Sequence, residues 1–151
     1  MRSDVLNSSS NKFGQVAETY DFQAKTADFT AAAGDCYLIT KVDGCDVTLP
    51  APVIGDKIKI VFGAITSNAH TITCDATTTL FSGYALMLDT LDGTAAKHIV
   101  FAADESDDDV FSMNGTTTGV SATVELLAIS NKMWQVEAIV YASGAVATPF
   151  A

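Results

Sequence analysis

The stretch SATVELLAISNKMWQVEAIVYAS, residues 121 to 143, is two apolar-rich runs around a Ser-Asn-Lys break. Read with a period of two, the first run puts Val124, Leu126 and Ala128 on one face, and the second does the same with Trp134, Val136 and Ala138. Such alternation marks a β-strand with one buried side. A three-residue connection, with Asn131 free to take a left-handed backbone, sets Ala128 opposite Trp134, Leu126 opposite Val136 and Val124 opposite Ala138. Large side chains then meet small ones, as close packing requires. Val124, Leu126, Trp134 and Val136 are the expected core, which turns Trp134 inward and away from service as a sugar-stacking platform. The opposite face carries Glu125, Gln135 and Glu137, but also Leu127, Ile129, Ile139 and Tyr141. It is too apolar to be a purely solvated surface, and part of it is expected to be covered.

From residue 36 onward, short apolar stretches such as CYLIT, DVTL, KIKIVF, HTITC, YALML, HIVFAA and VFSM recur, with turn-forming residues between most of them. Asp43-Gly44, Ser82-Gly83, Asp92-Gly93 and Asn114-Gly115 are the clearest of these breaks. The pattern predicts an all-β domain over residues 31–151, an antiparallel β-sandwich or jelly roll. A two-residue turn at Asp43-Gly44 is expected to pair Val42 with Cys45, Lys41 with Asp46, Thr40 with Val47, Ile39 with Thr48 and Leu38 with Leu49. In KIKIVF, Ile58, Ile60 and Phe62 share a core face while Lys57 and Lys59 face water. No internal repeat of solenoid or propeller period is visible.

Residues 1–30 are polar at first and then carry spaced aromatics, which reads as an extended N-terminal arm. Its Phe13, Tyr20, Phe22 and Phe29 are candidate contacts to a partner protein or to a neighbouring subunit, with a short helix near residues 13 to 20 as the alternative of an arm folded on its own domain.

Composition narrows the function. The formal net charge of -10 argues against binding nucleic acid phosphates or an anionic membrane. Charged residues are only 17% of the chain, below the usual ~25%, which favours burial against protein partners. The first residues lack the apolar core of a signal peptide and no run reaches the ~18 apolar residues that span a bilayer, so synthesis in a cytoplasm is expected. Cys36, Cys45 and Cys74 show no CxxC spacing and read as buried thiols.

Chemistry-bearing patterns are sparse. His70 and His98 lie in no metal or nucleophile motif, and on the strand HTITC, His70 and Cys74 stand about 13 Å apart, too far to share a zinc ion. No nucleophile elbow, phosphate loop or metalloprotease helix is present. The run DESDDD, with Asp104, Glu105, Asp107, Asp108 and Asp109, has the oxygen density calcium prefers but not the spacing of an EF-hand loop; the simpler reading is a solvated loop held extended by its own repulsion. The expectation is a non-enzyme without cofactors.

The string NGTTTGVSATVELLAISNKMWQVEAIVYASGAVATPF, residues 114 to 150, resembles the C-terminal part of head decoration (cement) proteins of tailed bacteriophages, and DVTLPAPVIGDKIKIVFGAITSNAHTITC, residues 46 to 74, is similar to their earlier hairpins. Val120-Ser121-Ala122 departs from the glycine that often follows NGTTTG in that family. The resemblance implies a virion structural protein, made in the bacterial cytoplasm, that forms a homotrimer on the capsid exterior and bridges major capsid proteins. The alternative is a receptor- or glycan-binding module of a tail or head fibre, with Phe81, Tyr84 and Tyr141 as its candidate aromatics.

Overall fold

The protein is described by a computed structural model covering residues 21–63, 68–89, 98–115, 118–143 and 146–151. Among these residues there is no helix. Eleven strands are present: β1 (Phe22–Lys25), β2 (Phe29–Thr30), β3 (Cys36–Ile39), β4 (Asp46–Thr48), β5 (Lys57–Phe62), β6 (His70–Thr73), β7 (Leu80–Asp89), β8 (His98–Ala102), β9 (Val110–Met113), β10 (Ser121–Ser130) and β11 (Met133–Ala142). They form two sheets, one of seven strands in the order β1-β3-β5-β10-β11-β7-β8 and one of four in the order β2-β4-β6-β9. The arrangement is all-β and consistent with a β-sandwich.

The β10–β11 hairpin occupies the large sheet's interior with the register its alternation dictates: Ala128 opposite Trp134, Leu126 opposite Val136, Val124 opposite Ala138. The connection is tighter than three residues, because Ser130 pairs with Met133 across an irregularity after Ala128. Val124, Trp134 and Val136 are fully buried and Leu126 nearly so. On one flank β5 adds Ile58 beside Leu126 and Ile60 beside Val124, in antiparallel register. On the other, β7 runs parallel to β11 and sets Phe81 beside Trp134. Trp134 therefore lies between the small Ala128 and the ring of Phe81, in the large-beside-small packing that fills a core without voids.

Two departures from the expected antiparallel sandwich share one cause. The first six strands alternate between the sheets, so that β1, β3 and β5 lie side by side in parallel in one sheet, and β2, β4 and β6 do so in the other. Both sheets are mixed. The Asp43-Gly44 turn accordingly does not close a hairpin; it carries the chain from β3 in the large sheet to β4 in the small one. The expected hairpin pairs Ile39 with Thr48 and Thr40 with Val47, which sends Ile39 to one face and Val47 to the other. Crossing between sheets lets Tyr37, Ile39, Val47 and Leu49 all enter one core, where all four are buried. Burial of four large side chains outweighs the Lys41–Asp46 pairing, since an exposed ion pair contributes only about 0–1 kcal/mol. Lys41 instead bonds Asp28 at 2.8 Å, and the same carboxylate accepts the Asp46 N–H at 3.0 Å.

Rings join the sheets. Phe29 of β2 packs on Tyr37 of β3 with centroids 4.7 Å apart, and Phe62 of β5 stacks on His70 of β6 at 5.2 Å. At the far side Phe150 enters between Phe111 of the small sheet (5.5 Å) and Phe81 of the large one (6.4 Å). Around it residues 149–151 run along β9: the Ser112 N–H donates to the Pro149 carbonyl at 2.8 Å and the Val110 N–H to the Ala151 carbonyl at 2.9 Å. The Thr-Pro-Phe tail thus fills the core and covers a sheet edge that would otherwise offer itself for pairing. Gly83 interrupts β7 with a φ of 102°, and a Cβ there would stand 2.1 Å from the Val136 carbonyl oxygen. Only glycine fits that approach.

Replacement of Trp134 by alanine should cost about 3–5 kcal/mol, the range for truncating a buried large aromatic. Urea unfolding followed by circular dichroism checks this; a variant as stable as the parent would contradict the placement of Trp134 at the centre of the core.

Candidate interaction surface

The outward face of the large sheet follows from the registers that bury its inward face. Residues aligned across strands share a face, and one such row reads Ala24, Leu38, Val61, Thr123, Ile139, Leu86 and Val100, from β1 to β8. Six of the seven are apolar and the seventh carries a methyl group. Ile139 is 48% exposed and Val100 61%. The neighbouring row reads Phe22, Cys36, Lys59, Glu125, Glu137, Tyr84 and Ala102. Between the two rows lies a shallow hollow lined by Tyr84, Leu86, Thr123, Glu125, Glu137 and Ile139.

Its electrostatics are uneven. Glu125 and Glu137 face each other directly across β10 and β11, a like-charge opposition that destabilises a strand pair. The Lys59 Nζ lies 2.7 Å from Glu125 Oε1 and compensates that carboxylate. Among the described residues no ion pair reaches Glu137.

The aromatics proposed for contact separate. Phe13 and Tyr20 lie outside the described residues. Phe22 opens β1 at the edge of the large sheet, and Phe29 sits in β2 against Tyr37, so both belong to the sheets. Of the candidate sugar platforms, Phe81 is fully buried, while Tyr84 and Tyr141 are exposed on the outward face. The candidate helix near residues 13 to 20 also lies outside the described residues.

The acidic run is folded where an extended loop was expected. The Asp104 N–H donates to the Asp108 carboxylate, and Asp104 Oδ1 accepts both the Ser106 N–H (2.9 Å) and its hydroxyl (2.7 Å). These Ser106 bonds hold the Asp104 carboxyl below its ordinary range. Glu105 accepts the Ser82 hydroxyl at 2.6 Å, which ties the loop to β7. The carboxylates satisfy their own backbone, the use to which short acidic side chains are often put in turns. Among the described residues no group of three or more His, Cys, Asp or Glu side chains is placed to hold a metal ion.

The thiols divide as well. Cys45 and Cys74 are buried, and burial pushes the Cys74 thiol up to about 12, far from the thiolate that reactivity needs. Cys36 differs from the expected buried state: it is half-buried on the outward face beside Lys59. Among the described residues His70 is buried with neither ring nitrogen hydrogen-bonded, and the buried Trp134 Nε1 likewise lacks a partner. Burial, with a smaller contribution from Lys41, holds the His70 pKa below 6.5. Nothing in the sequence marked this histidine apart from its place in an alternating strand.

Compared with protein-family models, curated proteins and solved structures, the chain matches none. The functional reading therefore rests on the residues themselves.

The buried neutral His70 makes a prediction about acid stability. Its folded pKa is depressed, so the unfolded chain binds the proton more readily, and stability falls as pH drops below the ordinary value of 6.5. Thermal unfolding between pH 8 and pH 5 should show the parent losing melting temperature from about pH 6.5 downward. His70→Leu, which removes two unpartnered nitrogens at similar volume, should flatten that loss. Identical pH profiles for parent and variant would refute the assignment.

Proposed function

We propose that the chain is a virion structural protein, a decoration (cement) protein that sits on the outer surface of a tailed-phage head and bridges major capsid proteins. The observation that carries this reading is the outward apolar row crossing all seven strands of the large sheet. The core is built from the other side of that sheet, so the row's exposed members, Leu38, Ile139 and Val100, are available to hold a partner. The similarity of residues 46–74 and 114–150 to decoration proteins, the low charge content and the net charge of -10 support the same assignment. In this reading the two sheets form a β-sandwich and the protein a homotrimer, and the arm expected over residues 1–30 is shortened at its end, because β1 and β2 join the sheets. Attachment at several points on a lattice multiplies through effective concentration, so each contact can be modest.

A receptor- or glycan-binding module of a fibre is the second reading, favoured by the exposed Tyr84 beside Glu137, with the exposed Tyr141 further along the same face. A sugar site uses such aromatic faces with a polar neighbour.

Heads of the encoding phage that lack the protein should release their DNA at a lower temperature than heads to which purified protein has been added back. Equal heat resistance of the two would count against the decoration role. Glycan-array binding that disappears in Tyr84→Ala would instead favour the fibre module.

A further inference from the structure

We propose that the outward row of the large sheet docks an extended segment of a protein partner, one whose side chains are apolar with a lysine or arginine placed to meet Glu137. The inference rests on the decoration reading only in taking that partner to be the capsid protein.

The length of the row sets the kind of segment. Seven strands at about 4.8 Å spacing make it about 29 Å long, the span of roughly nine residues of extended chain. Leu38, Ile139 and Val100 project along it, with Leu86 and Val61 more sheltered between. A segment crossing the strands would cover these side chains in turn.

Charge sets the chemistry beside them. Lys59 reaches Glu125 and leaves Glu137, the other member of the opposed pair, without a cation among the described residues. Glu137 borders the hollow that also contains Ile139 and Leu86. A cation arriving with an apolar segment relieves the Glu125–Glu137 repulsion at the moment the segment covers the row, so charge and burial favour the same complex. A second copy of this chain is a poorer occupant: it brings another Glu125–Glu137 pair and another net charge of -10.

The test uses the full chain with Ile139→Asp and Glu137→Lys variants. Both positions are exposed, and substitutions there should leave the melting temperature within a few degrees of the parent. Binding to decoration-free heads should weaken at least about tenfold in each, as loss of a central interface residue does. Variants that bind heads as tightly as the parent overturn the docking surface while leaving the decoration role standing. A second arm uses a nine-residue peptide alternating valine and lysine, with a valine-glutamate peptide as control. The parent should bind the lysine peptide only, and Ile139→Asp should weaken it. Attraction to net negative charge alone predicts the reverse, tighter binding to Ile139→Asp, and that result overturns the proposal. If the parent ignores heads but binds the lysine peptide through Ile139, the surface stands and the capsid is excluded as partner. If Ile139→Asp dissociates an oligomer in sedimentation, a second copy occupies the face and the proposal fails.

Discussion

Burial of one face of the β10–β11 hairpin in the hydrophobic core is the constraint to which the rest of the structure answers. Val124, Leu126, Trp134 and Val136 are withdrawn from water together by two ten-residue strands in matching register. At roughly 25 cal/mol per Å2 of apolar surface, this burial is a dominant favourable contribution to folding. β5 and β7 are positioned by it, one antiparallel to β10 and one parallel to β11, each presenting its own apolar alternation to the same side. Gly83 follows from the same demand, since only a residue without a Cβ lets β7 approach Val136 as closely as it does.

The same constraint explains why the first strands cross between sheets. Buried residues of both sheets form one hydrophobic cluster, which an apolar residue can join from either sheet. Tyr37 and Ile39 reach it from the large sheet, Val47 and Ile72 from the small one. Parallel neighbours result, because a chain that alternates between sheets returns to each in the same direction. The interior also accepts His70 with two unpartnered nitrogens, stacked on Phe62. Such a group is costly to bury and is retained here by the packing around it.

The proposed function draws on the other side of the sheet. Once the inward residues are fixed, the outward ones are fixed too, since side chains alternate between the two faces. The apolar row and the Glu125–Glu137 opposition are thus by-products of the registers that build the core, yet they are what the molecule presents to its surroundings. A sheet that carries the proposed contact residues on strands holds them in place at little ordering cost on binding.

By itself the sequence determined the elements that depend on near neighbours. The strand nature and register of β10 and β11, the inward set Val124, Leu126, Trp134 and Val136, the core face of β5 and the outward Ile139 and Tyr141 are all legible from a period of two, because local alternation and one short turn decide them. The sheet partners of β1, β3 and β7 were not legible. Phe22 aligns with Cys36 and Cys36 with Lys59 at unequal separations, so no repeat announces the winding, and the Lys41–Asp46 match points to a hairpin that the core rejects. Nor could the sequence place Leu38, Val61, Leu86 and Val100 in one row with Ile139. Parallel and long-range pairings are chosen by which arrangement buries the most apolar surface, a property of the whole molecule, and only the tertiary structure decides them.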